Sequence, residues 1–267
     1  MTRLQKMPRL TVSYSSSFVE LFKAGDVLVD GVEVGPWFSP SAIWKYRQNL
    51  PGIPFYYHAG SLISRVKFQE KAVLRRLGEY LSCTQSPWLS FHIELLPFHV
   101  FLLSKHLGIH PSPPDAKQSA QQFVEMLGRI ENVVRVPILL ENLPSLPLKK
   151  YNYASSPEIM KEIISITGAG LLLDIAHARI AATMREQDVR TYIERFPLDN
   201  LAQIHISGVR AKNGHLHDAH ETLGEEDYQL LKWVLEKSEP QVVTLEYFKG
   251  KEVLREQLLR IQEIIAS

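Results

Sequence analysis

Residues 171–177 read LLLDIAH: three leucines, an aspartate, and a histidine three positions further on. An unbroken apolar run of this length suits a strand buried on both faces, as parallel strands covered by helices are. A carboxylate closing such a run loses hydration worth several kcal/mol unless it is paired, hydrogen-bonded or bound to a cation. The same grammar recurs in PFYYH (54–58), WLSFH (88–92), PILLE (137–141), LAQIH (201–205) and VVTLE (242–246). Nine residues able to bind a metal sit at these ends or just beyond them: His58, His92, Glu141, Asp174, His177, His205, Asp218, His220 and Glu246. In an eight-stranded α/β barrel the C-terminal strand ends converge on one mouth, so groups remote in sequence meet there. A desolvation cost repeated strand after strand calls for a shared compensation, which two or three divalent cations would supply.

Working outward, strand-like and helix-like runs alternate. LTVSYS (10–15) precedes SFVELFKAG, where Gly25 is placed to end a helix, and DVLVDGVEV runs to Glu33 and Val34 as a second strand. SPSAIWKYRQNL (39–50) opens with Ser39 as an N-cap and Pro40 at the first helical position, and FYYH follows. The helix VKFQEKAVLRRLGEYLS leads to WLSFH, then a Pro-rich stretch, 95–114, holds His99, His106 and His110, which look structural or incidental. Asp115 caps DAKQSAQQFVEMLGRIENV before VPILLEN, and SSPEIMKEIISITG repeats the Ser-Pro start and ends at Gly168 before the strand LLLDIAH. DVRTYIERF precedes LAQIHISG, a polar loop covers 208–223, and EEDYQLLKWVLEKS, VVTLEY and EVLREQLLRIQEIIA complete the chain. Eight strands near 10, 29, 55, 89, 138, 172, 203 and 243, joined by helices, predict a single (β/α)8 barrel domain over residues 1–267. The length of 267 residues agrees with the roughly 250 of that architecture. No internal repeat, low-complexity linker or composition break marks a second domain.

With 30 Lys+Arg against 29 Asp+Glu, the formal charge of +1 gives no global pull toward nucleic acid or anionic membrane. The single Cys83 excludes an intrachain disulfide framework. Neither a signal peptide nor an apolar run of about 18 residues is visible, so a soluble protein of a reducing, cytoplasmic compartment is expected.

Each candidate has an ordinary alternative. A lone His58 or His92 fits a packed histidine, Glu141 a helix cap through Asn142-Leu-Pro, and Asp174 a turn former. Asp174 with His177 in DIAH, and Asp218 with His220 in DAHE, are stronger signals, because each brings an oxygen and a nitrogen ligand within a few residues. Such mixed sites suit Zn(II), Fe(II) or Mn(II) better than Ca(II). His215 and His217 lack strand context and read as solvated loop. Glu33 either reaches the mouth or pairs with a basic residue.

The series His, His, Glu, Asp-x-x-His, His, Asp-x-His, Glu resembles the metal ligands of the xylose-isomerase-like TIM barrels, and the trinuclear site of endonuclease IV in particular. That resemblance implies His58, His92 and Glu141 around one metal and Asp174, His205 and Glu246 around a second that shares Glu141. It implies His177, Asp218 and His220 around a third. The connecting text, VEVGPWFSP (32–40), PILLENLP (137–144), LLLDIAHARI (171–180), IHISG (204–208) with a following Gly-x-x-x-Asp-x-His, and TLEYFKG (244–250), resembles a second family on the same barrel. These are the multinuclear non-heme iron-dependent oxidases, which modify cysteine-containing peptides, usually with a partner that delivers the substrate. Membership would imply iron, in two or three ions, with zinc or manganese as alternatives, and a parallel for Glu33. Trp37 stands where that family often has an acidic residue, and Ala176 and His177 stand where it often has Asn.

Function follows as an expectation: a metal-dependent oxidase using O2 on a peptide or small-molecule substrate, with Glu141, His177 and Glu246 as catalytic candidates and Asn142 orienting ligands. An endonuclease IV-like zinc phosphodiesterase is a second reading. The loops AGSLISRVK (59–67) and IELLPFHV (93–100) weigh against it, being more apolar than basic, although Arg65, Lys67, Arg179, Arg210 and Lys212 could cluster near the mouth. A divalent-metal sugar isomerase or epimerase is a third, with Glu141 and Glu246 moving a proton. A purely structural metal is disfavoured, since structural zinc is usually closed by four Cys or His ligands.

Overall fold

Eight short runs of β-branched and aliphatic residues pair in parallel and close on themselves. In chain order they are β1 (Arg9–Ser13), β2 (Gly31–Val34), β3 (Phe55–His58), β4 (Leu89–His92), β5 (Ile138–Glu141), β6 (Gly170–Asp174), β7 (Leu201–Ile206) and, after a hairpin of β8 (Gly208–Lys212) and β9 (His215–Glu221), β10 (Val242–Leu245). The barrel order is β1-β10-β7-β6-β5-β4-β3-β2, the eight-strand closed barrel expected from the sequence. The computed structural model describes residues 7–96, 100, 103, 107–109, 111–145 and 149–267; His99, His106 and His110 lie outside them.

Around the barrel lie α1 (Ser16–Ala24), α2 (Pro40–Asn49), α3 (Ile63–Thr84), α4 (Ala116–Glu131), α5 (Pro157–Thr167), α6 (Ile175–Met184), α7 (Val189–Ile193), α8 (Glu225–Lys237) and α9 (Lys251–Ala266). Their ends follow the chemistry legible in the chain. Ser39, Asp115 and Ser156 accept the N-terminal amides of Ala42, Gln118 and Ile159, satisfying donors that the helix itself cannot. Gly25 and Gly168 end their helices in the left-handed region, at φ 76° and 72°. No helix of the described residues is long and apolar enough to cross a membrane.

Period-two alternation sorts the strands into two cores. Tyr56, Trp88, Leu139, Leu172 and Val242 pack with one another as a plug inside the barrel. Phe55, Tyr57, Leu89, Phe91, Leu140, Leu171, Leu173, Val243 and Leu245 join the larger core under the helices. Two residues along from Tyr56, Leu139 and Leu172, on the same strand face, stand His58, Glu141 and Asp174. Four along from Trp88 and Val242 stand His92 and Glu246. Parity therefore turns the strand-end acids and imidazoles toward the barrel axis at its C-terminal mouth.

Five expectations are corrected. The first strand covers Arg9–Ser13 rather than 10–15, and the second is confined to Gly31–Val34, with residues 26–30 outside it. The long helix begins at Ile63 and bends at Gln69, whose φ of −145° is not helical. In LLLDIAH the strand stops at Asp174, because Asp174 caps α6 and His177 lies in that helix's first turn. The stretch 208–223 is not simply a polar loop: most of it is the antiparallel hairpin β8–β9.

Candidate metal centre

Glu141 is the hub of the mouth. At the end of β5, opposite His92 of β4, it is 1% exposed, so its charge has no water to lean on. Its Oε2 lies 3.2 Å from Nε2 of both His58 and His92. Its Oε1 lies 3.4 Å from His177 Nδ1 and 3.7 Å from His205 Nδ1. His205 Nδ1 is also 3.5 Å from Glu246 Oε1. On the other side, Asp218 Oδ2 stands 3.3 Å from His177 Nε2, and His220 closes the ring, 3.7 Å from Asp218 through Nε2 and 3.7 Å from Glu246 through Nδ1.

Close approach without hydrogen bonding is the informative feature. Glu141 Oε2, Asp174 Oδ2, His205 Nδ1 and His220 Nδ1 are buried and have no hydrogen-bond partner among the described residues. Each unsatisfied buried polar atom costs about 1–3 kcal/mol, more for charged groups. Ligand atoms of His58, His92 and Glu141 all lie within 4.8 Å of one another, as do those of Glu141, Asp174 and His205, and those of Glu33, His205 and Glu246. Two atoms bound to one zinc-sized ion at about 2.1 Å would be roughly 3.4 Å apart, close to the separations seen here. His177, Asp218 and His220 are joined through Asp218. All nine strand-end and hairpin candidates thus belong to one cluster, and their orphaned atoms fit cations.

The rings are held from behind. His58 Nδ1 is 3.1 Å from Ser90 Oγ, and His177 Nδ1 donates to the Asn142 carbonyl at 2.8 Å, so in both rings Nε2 faces the cluster. Asp174 divides its oxygens: Oδ1 accepts the His177 amide at 2.6 Å as the helix cap, which leaves Oδ2 for the centre. The Asn142 side chain fastens the Asp174 backbone from both sides.

The hairpin delivers the remaining pair. Its register slips between Gly208, opposite Glu221, and Val209, opposite Asp218, so Ala219 and His220 bulge out of the ladder. Bulges re-aim side chains next to active sites. His220 takes φ 46°, an uncommon left-handed conformation, as it turns its ring toward Glu246. Gly208 permits the hairpin to start there, since a Cβ on it would stand 2.2 Å from the Thr222 carbonyl oxygen. His215 and His217 are exposed on β9, in strand rather than loop.

Burial and charge oppose one another throughout. Burial disfavours the charge on Glu141, but the imidazoles of His92 and His58 hold its carboxyl well below the usual range. Burial also works against a charged His177, yet Asp174, Asp218 and Glu141 lift it to about 10, and Glu33 and Glu246 likewise lift His205 well above the ordinary value. Burial wins at His58, pushed down to about 4, and at Glu246, pushed up to about 7 despite His205 and His220. Asp218 is held at about 2 against burial, chiefly by its hydrogen bond to His177. Without a metal, protons on imidazoles balance the acids.

Sequence reasoning left out a polar layer beneath the mouth: Ser90, Gln203 and Thr244 are each at most 1% exposed. The signal was present, for each stands two residues before His92, His205 or Glu246 and therefore shares its face. Glu33 is also buried, 4% exposed, against His205.

A family model described as "RiPP precursor modification enzyme MbnB/TglH/ChrH" matches residues 42–265. The chain belongs to the MbnB/TglH/ChrH family. Among curated relatives, a "UPF0276 protein" of Rhizobium meliloti is 32% identical over 95 residues, covering 36% of this chain and 31% of that one. Another, of Psychromonas ingrahamii, is 27% identical over 175 residues, covering 64% and 60%. The matched stretches thus span about a third to three fifths of these relatives. Among solved structures, a D-tagatose 3-epimerase-like protein superposes with a TM-score of 0.64 at 18% identity, covering 97% of this chain and 98% of the other. At that identity the likeness is one of fold, and the fold this MbnB/TglH/ChrH member shares is the closed (β/α)8 TIM barrel.

Proposed function

We propose that the chain is a non-heme iron oxidase that uses O2 to modify a cysteine-containing peptide. The substrate would be the ribosomally made precursor that the family name denotes, delivered by a partner protein. The observation supporting this most is the ring of contacts around Glu141, with buried nitrogen and oxygen atoms aimed inward and unsatisfied, in a chain whose family modifies such precursors.

His58, His92 and Glu141 would hold one ion, Asp174, His205 and Glu246 with the shared Glu141 a second, and His177, Asp218 and His220 a third. Five imidazoles with four carboxylates suit Fe(II), and also Zn(II) or Mn(II), better than calcium. Bound iron would supply a seat for a thiolate sulfur and one-electron chemistry with O2. The chain's own residues do the rest. Glu141 neutralises charge between neighbouring positions. His177, anchored by Asn142 and capped by Asp174, fixes the third position relative to the others. Glu246, with its carboxyl near neutrality before metal enters, holds or gives up a proton at Oε1 or Oε2 beside His205 and His220.

Three of the five basic residues available to a nucleic-acid groove are engaged within the chain: Arg65 donates to the Ser61 and Ala59 carbonyls, Arg179 to Asp227 and Glu226, and Arg210 to Glu221. The test is anaerobic reconstitution with Fe(II), exposure to O2 and a cysteine-containing peptide, followed by iron spectroscopy and peptide mass. Iron binding with a change in peptide mass supports the proposal. Protein that shows no iron signal, yet cleaves abasic DNA when loaded with zinc, overturns it.

A further inference from the structure

Beneath the mouth, one hydrogen-bonded chain fixes which nitrogen of His205 is available. Its first link is Trp88, whose indole N–H only donates; at 2.9 Å it faces Gln203 Oε1, which fixes the orientation of the Gln203 amide. Gln203 Nε2 then points the other way and has two hydrogens to give. Glu33 Oε2 at 2.7 Å and Thr244 Oγ1 at 2.9 Å take them, and Thr244 is itself 2.7 Å from Thr11 Oγ1. No hydrogen is left for His205 Nε2, which lies 3.1 Å from the same Gln203 nitrogen. His205 Nε2 lies 3.1 Å from both oxygens of Glu33, so it must carry a hydrogen and donate it there. Nδ1, with no hydrogen-bond partner and facing Glu141 and Glu246, is the nitrogen left to bind.

We infer that Glu33 is a positioning residue: it holds His205 as the Nε2–H tautomer and so commits Nδ1 to the metal, without being a ligand itself. This rests on the proposal that His205 binds metal. It also makes His205 the opposite of His58 and His177, whose Nδ1 atoms are held and whose Nε2 atoms face inward. Glu33 lies within ligand range of His205 and Glu246, so a ligand role is the competing assignment. Against it, one Glu33 oxygen is taken by Gln203 and both lie against the His205 N–H.

The experiment titrates Co(II), and separately Zn(II), into the full chain as wild type, Glu33→Gln and His205→Ala. Stoichiometry and affinity are read by absorption and calorimetry, and the His205 ring of the Zn(II)-loaded wild type by long-range proton–nitrogen-15 correlation. Expected are a wild-type ring bound through Nδ1 with a hydrogen on Nε2, and a Glu33→Gln protein with unchanged stoichiometry and affinity weakened about 10–100-fold. Loss of one ion in Glu33→Gln overturns the inference in favour of a ligand role, and an unchanged affinity overturns it in favour of no role. A ring bound through Nε2 overturns it without recourse to any variant, so a misfolded Glu33→Gln protein does not shelter it. If His205→Ala binds as wild type does, the underlying assignment of His205 as a ligand fails instead.

Discussion

The side chain of Asn142 and the backbone of Asp174 are bonded twice: Asn142 Nδ2 donates to the Asp174 carbonyl at 3.0 Å, and Asn142 Oδ1 accepts the Asp174 amide at 2.8 Å. The Asn142 carbonyl also accepts from His177 Nδ1. One residue therefore sets two of the proposed ligands. Asn142→Ala is expected to lower Co(II) affinity about 10–100-fold and to cost about 1–3 kcal/mol of stability. Cobalt titration and urea unfolding of the metal-free protein check it. Unchanged affinity would refute the link between this anchor and the metal.

Metal uptake should expel protons. His177, at about 10, and His205, well above its ordinary value, both hold a proton at pH 7 before metal arrives, whereas His58, at about 4, does not. A ligating imidazole must be neutral, so binding displaces those protons, and apparent affinity rises with pH and falls as acid competes. The two protons leave different positions, one with His177 and one with His205, and Glu246, at about 7, adds a fraction of a third beside His205. The affinity for each of those ions therefore changes about tenfold or somewhat more per pH unit near neutrality. Calorimetry in buffers of different ionisation enthalpy measures the release, and heats independent of buffer would contradict it.

Gly208→Ala places a methyl group 2.2 Å from the Thr222 carbonyl oxygen, so the hairpin must shift. Asp218 and His220 move with it. The expected protein keeps the circular dichroism of the barrel but binds one ion fewer than wild type. Full stoichiometry, with His220 still near Glu246 in a crystal, would count against the role given to the hairpin.

Arg179 joins α6 to α8 through Asp227 and Glu226. Asp227 is 2% exposed and also accepts the Gly224 amide at 2.8 Å. Arg179→Ala strands that carboxylate, at an expected cost of about 3 kcal/mol. Denaturant midpoints should fall while metal stoichiometry stays constant. If both fall together, Arg179 belongs to the mouth as well as to the wall.

The barrel was legible because a charged group at the end of an apolar run marks both where a strand stops and which way its end must face. LLLDIAH shows how far that goes: the Asp174 position follows from the pattern, but the switch to helix does not. Ile175 to Ala178 and Ile180 to Ala182 are buried on every side, which erases the polar face that signals a helix. The hairpin was hidden for the opposite reason. Arg210, Lys212, His215 and His217 give β8 and β9 no buried face, so no alternation announces them. Glu33 was ambiguous because its partner, His205, is 172 residues away, and no local pattern reports such a pairing.

Six of the nine proposed ligands come from barrel strands or the residue directly following one, and His177 from the first turn of α6, while Asp218 and His220 ride on a hairpin that pairs with no barrel strand. Lineages could therefore lengthen, shorten or re-space residues 208–221 and change how many cations are carried, leaving every strand register untouched. Chemical diversification in this fold would then begin at a detachable brim while the vessel beneath it is inherited whole.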